Sequence, residues 1–107
     1  MDAKYMNRQS GSDTLPYEIV EVVSANKVLV RPMAATMATD WAPDMRPGGY
    51  SAHCANNDEQ RWDIAPIADA PTEVVTLRKS GKWILKGCNW VEFTPSATPI
   101  KHYDFNY

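Results

Sequence analysis

Along this chain the apolar residues fall at alternate positions more often than at helical spacing, and the densest runs are rich in β-branched side chains. The run Tyr17–Ser24, Tyr-Glu-Ile-Val-Glu-Val-Val-Ser, predicts one strand, and Lys-Val-Leu-Val-Arg over residues 27–31 predicts a second. Ala25 and Asn26 lie between them, and asparagine tolerates positive φ, so a tight hairpin is the economical connection. Pro32 has no N–H to give a ladder and should mark an edge, a bend or a bulge. Residues 33–40 carry helix formers over barely two turns and read equally well as a continued strand. Residues 40–60 contain Pro43, Pro47, Gly48, Gly49, Asn56, Asn57 and Asp58, the chemistry of one long loop, punctuated by Trp41, Met45, Tyr50, His53 and Cys54.

Beyond the loop, residues 61–67 predict a strand that places Trp62 and Ile64 on one side. Residues 73–79 and 82–86 predict a hairpin across Ser80-Gly81, and residues 88–93 a further strand with Trp90 and Glu92 opposite Val91 and Phe93. The clearest period of two ends the chain, where Tyr103, Phe105 and Tyr107 alternate with His102, Asp104 and Asn106, and predicts a terminal strand that pairs back onto the sheet. The expected fold class is therefore all-β, a small antiparallel barrel or rolled sheet of SH3-like size with about five to seven short strands and one long loop. Residues 1–11 show no sustained periodicity and are expected to form a flexible N-terminal arm, leaving residues 12–107 as a single β domain.

Composition narrows the class. A chain of 107 residues that is 44% hydrophobic has room for one core. No apolar run approaches the length of a membrane helix and the N-terminus lacks a signal-like stretch, so a cytosolic protein is expected, with no membrane partner. The net charge of -2 conceals an asymmetry: residues 1–72 hold six basic and ten acidic groups, and residues 73–107 hold five basic and three acidic ones. Cys54 and Cys88 are too few for a disulfide scaffold or a four-cysteine zinc site. With His53 and His102 they match the ligand count of tetrahedral zinc but lack the paired short spacings. Adjacent residues of an extended chain point to opposite faces, so His53 is poorly placed to activate Cys54. Small buried thiols are the better reading, and neither a metal nor a cofactor is called for.

Two groups of residues stand out as candidate binding sites. Arg78, Lys79, Lys82 and Lys86 concentrate four cations on the one hairpin, beside Trp83, and an aromatic face next to cations is how proteins hold nucleobases and phosphates. A solvated strand edge protected by lysines is the plainer and favoured explanation, as core packing is for Trp83. Asp13, Tyr17, Tyr103 and Asp104 would form a second site, a cleft with an acidic floor, if the first and last strands are neighbours; turn capping and solvent-facing hydrogen bonds are the plainer alternative. The carboxylates Asp40, Asp44, Asp58, Glu59, Asp63 and Asp69 are also spread as a mimic of a phosphate backbone would spread them, although Arg46 and Arg61 interrupt the series.

Several of these pieces resemble a family of small uncharacterised phage and prophage proteins. The resembling segments are Ser12-Asp13 with Pro16-Tyr17, Ile19 to Val23, Val28 to Val30, the hairpin Leu-Arg-Lys-Ser-Gly-Lys-Trp over residues 77–83, and the terminal His102-Tyr103-Asp104-Phe105. Residues 33–67 do not align with it. The resemblance implies a viral origin and a role in the cytoplasm of an infected bacterial host. On it rests the expected function: a non-enzymatic accessory protein that counters a bacterial defence system, by binding a host defence protein complex or by sequestering a nucleotide-type small molecule. A homo-oligomer would suit the second version. The alternative is a nucleic-acid-binding or structural phage protein that uses the basic hairpin of residues 78–86.

Overall fold

The computed structural model describes residues 2–48 and 51–105, with side-chain surroundings given for all of these except 48, 51 and 52. Ten strands follow in chain order: β1 (Tyr5–Ser10), β2 (Asp13–Leu15), β3 (Tyr17–Ser24), β4 (Lys27–Met37), β5 (Met45–Gly48), β6 (Ser51–Cys54), β7 (Trp62–Pro66), β8 (Glu73–Leu77), β9 (Trp83–Leu85) and β10 (Glu92–Ser96). One 3-10 turn, Asn57–Glu59, precedes β7, and no α-helix occurs among the described residues. Six strands close an antiparallel barrel in the order β1-β10-β9-β8-β4-β3-β1. Closure removes the unpaired edges of an open sheet, so a chain this short can satisfy its backbone internally.

The interior follows from the alternation. Met6, Val28, Val30 and Val75 are fully buried and Phe93 nearly so, joined by Tyr17, Trp83 and Val91. Tyr17 and Phe93 pack edge to face with ring centroids 5.1 Å apart, and Leu15, Ile19, Leu77, Leu85 and Cys88 lie against this cluster.

The segment expected as a flexible N-terminal arm is instead a barrel strand. β1 pairs with β10 from Tyr5↔Ser96 to Gln9↔Glu92, turns at Gly11 (φ +60°) and pairs with β2 from Arg8↔Leu15 to Ser10↔Asp13. Met6 and Asn7 are both buried, so the period of two is broken by a polar residue whose hydrogen bonds are satisfied: the Asn7 amide donates to the Thr98 carbonyl (3.2 Å) and accepts from the Ile100 N–H (2.9 Å).

The β3–β4 hairpin turns at Ala25-Asn26 as expected, but no non-glycine residue among those described has positive φ. The turn instead follows a register shift between Val22 and Ser24, and Ser24 Oγ lies 2.8 Å from Asn26 Oδ1. A second shift lies between Ile19 and Glu21, and such bulges add the bend a barrel strand needs. β4 continues through Pro32. Before it, residues 27–30 pair with β8; after it, residues 33–37 pair with β7. The imino residue therefore sits where the strand leaves the barrel and changes partners, the place where a missing N–H costs least.

The second half of β4 and β7 form a ribbon that leaves the barrel, which stretches the molecule to 49 × 28 × 22 Å. Residues 40–60, expected as one long loop, contain regular structure: β5 and β6 pair from Met45↔Cys54 to Gly48↔Ser51, and the 3-10 turn follows. Tyr50 lies outside the described residues. The terminal strand is corrected to a shorter feature. His102 makes a single bridge to Thr14, with N–H to O distances of 2.9 and 3.0 Å, and residues 103–105 are held by side chains of the rest of the protein. Asn106 and Tyr107 lie outside the described residues.

Candidate functional site

The basic hairpin is built on strands shorter than expected, because β8 ends at Leu77 and β9 spans only Trp83–Leu85. Between them the Arg78 N–H donates to the Lys82 carbonyl and the Gly81 N–H to the Arg78 carbonyl, both at 2.9 Å, with Gly81 at φ +88°. Arg78, Lys79, Lys82 and Lys86 thus lie outside the strands, in the connections that flank them, and all four are exposed. Trp83 is core, packed inside the barrel rather than beside the cations, which removes it from the surface site. Lys82 pairs with Glu92 at 3.3 Å. Lys79 and Lys86 make no ion pair among the described residues.

The exposed aromatic nearest these cations in the chain is a different residue. The turn after β9 passes through Gly87 (φ +85°), Cys88 N–H donates to the Leu85 carbonyl and Val91 N–H to the Cys88 carbonyl. That geometry turns Cys88 onto the core and leaves Trp90 83% exposed, the most exposed large apolar side chain described. Arg78 Nη2 donates to Asn89 Oδ1 at 3.3 Å, so the exposed guanidinium reaches the residue before Trp90 in the chain. Alternation alone places Trp90 on a strand face. The signal against that placement is the Gly87-Cys88-Asn89 sequence before it, which is turn chemistry.

The second predicted group is brought together in part. Asp13, Tyr103 and Asp104 line one cleft with Ser10, Gly11 and Ser12, and Asp13 Oδ1 accepts the Asp104 N–H at 2.8 Å. Tyr17 is not part of it: the ring is buried in the core, and its hydroxyl accepts from Arg8 Nη1 at 3.4 Å. The cleft's other neighbours come from the long loop, with no signal in the sequence to pair them with the C-terminal segment. Gln60 brackets Tyr103, accepting its N–H at 2.9 Å and donating to its carbonyl, and Asn57 Oδ1 accepts the Phe105 N–H at 3.0 Å. Phe105 lies 5.9 Å from Trp41 and 4.8 Å from Tyr103, and the Lys101 ammonium stands 5.4 Å over the Trp62 ring.

The acidic series is partly neutralised within the protein. Asp40 pairs with Arg61 at 2.8 Å and Asp44 with Arg46 at 2.9 Å. The hydrogen bonds that Arg46 donates to Asp44, and then the charge of that carboxylate, hold the Arg46 guanidinium above its usual pKa. The thiols lie in different parts of the fold: Cys54 is buried in the β5–β6 hairpin with Sγ 3.2 Å from Asn56 Oδ1, whereas Cys88 packs on the barrel core. Among the described residues no three His, Cys, Asp or Glu side chains gather as metal ligands would. Nor is any helix there long and apolar enough to cross a membrane.

β3 carries a further apolar patch on the barrel wall. Val20, Val22 and Val23 are each nearly half exposed, and Val20 and Val22 line a shallow groove with Lys4, Glu18 and Glu21. In comparisons with known proteins the chain matches no protein-family model, no curated protein and no solved structure.

Proposed function

We propose that this protein is a non-enzymatic binding protein that holds a base-bearing phosphate on the face formed by Arg78, Lys79, Lys86 and Trp90. The single observation that carries the reading is the Arg78–Asn89 hydrogen bond beside an 83% exposed Trp90. A solvated indole leaves a large apolar face in water, and a guanidinium hydrogen-bonded to the adjoining Asn89 would add charge to stacking, the pair of interactions by which bases and phosphates are held. Lys79 and Lys86 add charge that no carboxylate among the described residues pairs with. The ligand is a free nucleotide signal or a single-stranded nucleic acid, which share this chemistry. In the infected bacterium implied by the phage resemblance, either mode would counter a defence system that signals through nucleotides or acts through bound nucleic acid.

The experiment is a thermal-shift and fluorescence titration with mono-, di- and cyclic nucleotides in one arm and a single-stranded oligonucleotide in the other. A ligand of the native state raises the melting temperature and, by stacking, quenches Trp90. The Trp90→Ala variant should lose the response in whichever arm shows it. No shift and no quenching in either arm at millimolar nucleotide and micromolar oligonucleotide would end the proposal.

A second reading, occlusion of a host defence protein, is favoured by the exposed valines of β3. It predicts that Val22→Lys with Val23→Lys abolishes protection of phage against the defence system while leaving the Trp90 titration unchanged.

A further inference from the structure

The last described residues are held mainly by their backbone. The His102 N–H and carbonyl bond to Thr14, Gln60 brackets the N–H and carbonyl of Tyr103, Asp13 accepts the Asp104 N–H, and Asn57 accepts the Phe105 N–H. Each socket is a side chain or strand edge of the barrel or of the segment before β7. Beyond the one Thr14 bridge the sockets are side chains that receive an extended backbone, a mode in which backbone bonds give affinity and flanking pockets select side chains. The selecting surface is aromatic, since Phe105 rests on Trp41 and Tyr103 on Phe105, and it reads one acid, since Asn57 Nδ2 lies 3.5 Å from Asp104 Oδ1.

Two observations distinguish this segment from an ordinary barrel strand. Buried Asn7 pins Thr98 and Ile100, and beyond Ile100 the backbone bonds of residues 102–105 lead to the notch, while Lys101 stands over Trp62. The notch is also imperfectly filled: the Trp41 indole N–H is buried and has no acceptor among the described residues, although Phe105 lies on its ring. Leaving a buried donor unmet is costly, and a different occupant that brought an acceptor there would recover that cost.

We propose that the notch between β2 and the turn before β7 is a peptide-binding site, occupied in this chain by its own residues 101–105, and that its external ligand is an extended aromatic-acidic-aromatic segment of a partner protein. The chain's own Tyr103-Asp104-Phe105 defines that ligand by fitting it. Tethering gives the internal segment an effective concentration on the order of millimolar, so the external segment binds well only when the internal one is displaced or absent. The site is separate from the Trp90 face.

The test uses a chain ending at Ile100 and a fluorescein-labelled peptide of residues 99–107, followed by anisotropy. Saturable binding to the shortened chain, at least tenfold weaker binding to the full chain, and loss of binding in the shortened chain carrying Gln60→Ala are expected. Equal binding to both chains, or none to a shortened chain with an intact β spectrum, would overturn the proposal. Should the shortened chain not fold, amide exchange in the full chain decides. The amides of His102, Tyr103, Asp104 and Phe105 should exchange through local opening while Val28 and Val75 stay protected. Exchange of all six only on global unfolding would show a fixed element of the fold and defeat the inference.

Discussion

Asn7 and Ile100, ninety-three positions apart, are joined by a 2.9 Å hydrogen bond from the Ile100 N–H to the side-chain oxygen of an asparagine that is only 1% exposed. The same side chain donates to Thr98, so one buried amide fastens the connection after β10 to the inside of β1. Asn7→Ala removes both bonds and strands a carbonyl and an N–H, which should cost about 2–3 kcal/mol. Urea denaturation followed by tryptophan fluorescence measures it, and Asn7→Asp should recover only the Ile100 bond.

Deleting residues 1–10 should leave a chain without a cooperative unfolding transition, since β1 is the strand that joins β10 to β3 and closes the barrel. Far-UV circular dichroism and heteronuclear spectra of the truncated chain check this. A chain that remained folded would restore the reading of these residues as an arm.

Trp83→Ala and Trp90→Ala should behave oppositely although both truncate a tryptophan within one short stretch of chain. Trp83 is core, and its removal should cost about 3–5 kcal/mol. Trp90 is solvated, and its removal should fall within about 0.5 kcal/mol of no change while abolishing the nucleotide response. Chemical denaturation of both variants beside the ligand titration makes the comparison.

If a single-stranded oligonucleotide is the ligand, Lys79→Ala and Lys86→Ala should each make the dependence of log affinity on log salt shallower, by about 0.7 for every phosphate that the lysine neutralises. Lys82→Ala should change it less, because Lys82 is already paired with Glu92. Affinity measured across a series of salt concentrations separates these outcomes.

Gly81→Ala should cost about 1–2 kcal/mol, the expense of a left-handed backbone for a residue with a Cβ. A Cβ built there meets no atom within 4 Å, so the cost is conformational, and Gly81→Asn should recover part of it. Melting temperatures of the two variants give the ordering.

Much of the barrel was legible in the residues. The β-branched runs of β3 and β4, the Ser80-Gly81 turn and the burial of Val91 and Phe93 appear where alternation and turn chemistry put them, although the strand expected over residues 88–93 begins only at Glu92. β1 was not legible, because Asn7 interrupts its apolar pattern and only a distant backbone, at Thr98 and Ile100, makes that burial tolerable. The β5–β6 hairpin was hidden for a different reason: Pro47 and Gly48 read as loop, and only their pairing with Ala52 and Ser51 makes them strand.

The candidate surfaces divide in the same way. Sequence placed four cations on one hairpin and offered, as the less favoured alternative, a cleft of Asp13, Tyr17, Tyr103 and Asp104, of which Asp13, Tyr103 and Asp104 do share one cleft. Core packing was the plainer reading for Trp83, and the structure bears that out. Trp83 and Tyr17 entered the core, while Trp90 emerged on the surface. Side-chain type sets how much a residue gains from burial, and that is written in the sequence. Which of several tryptophans and tyrosines receives that burial depends on the closure of the barrel and the two glycine turns, and on which backbone groups distant segments bring within reach.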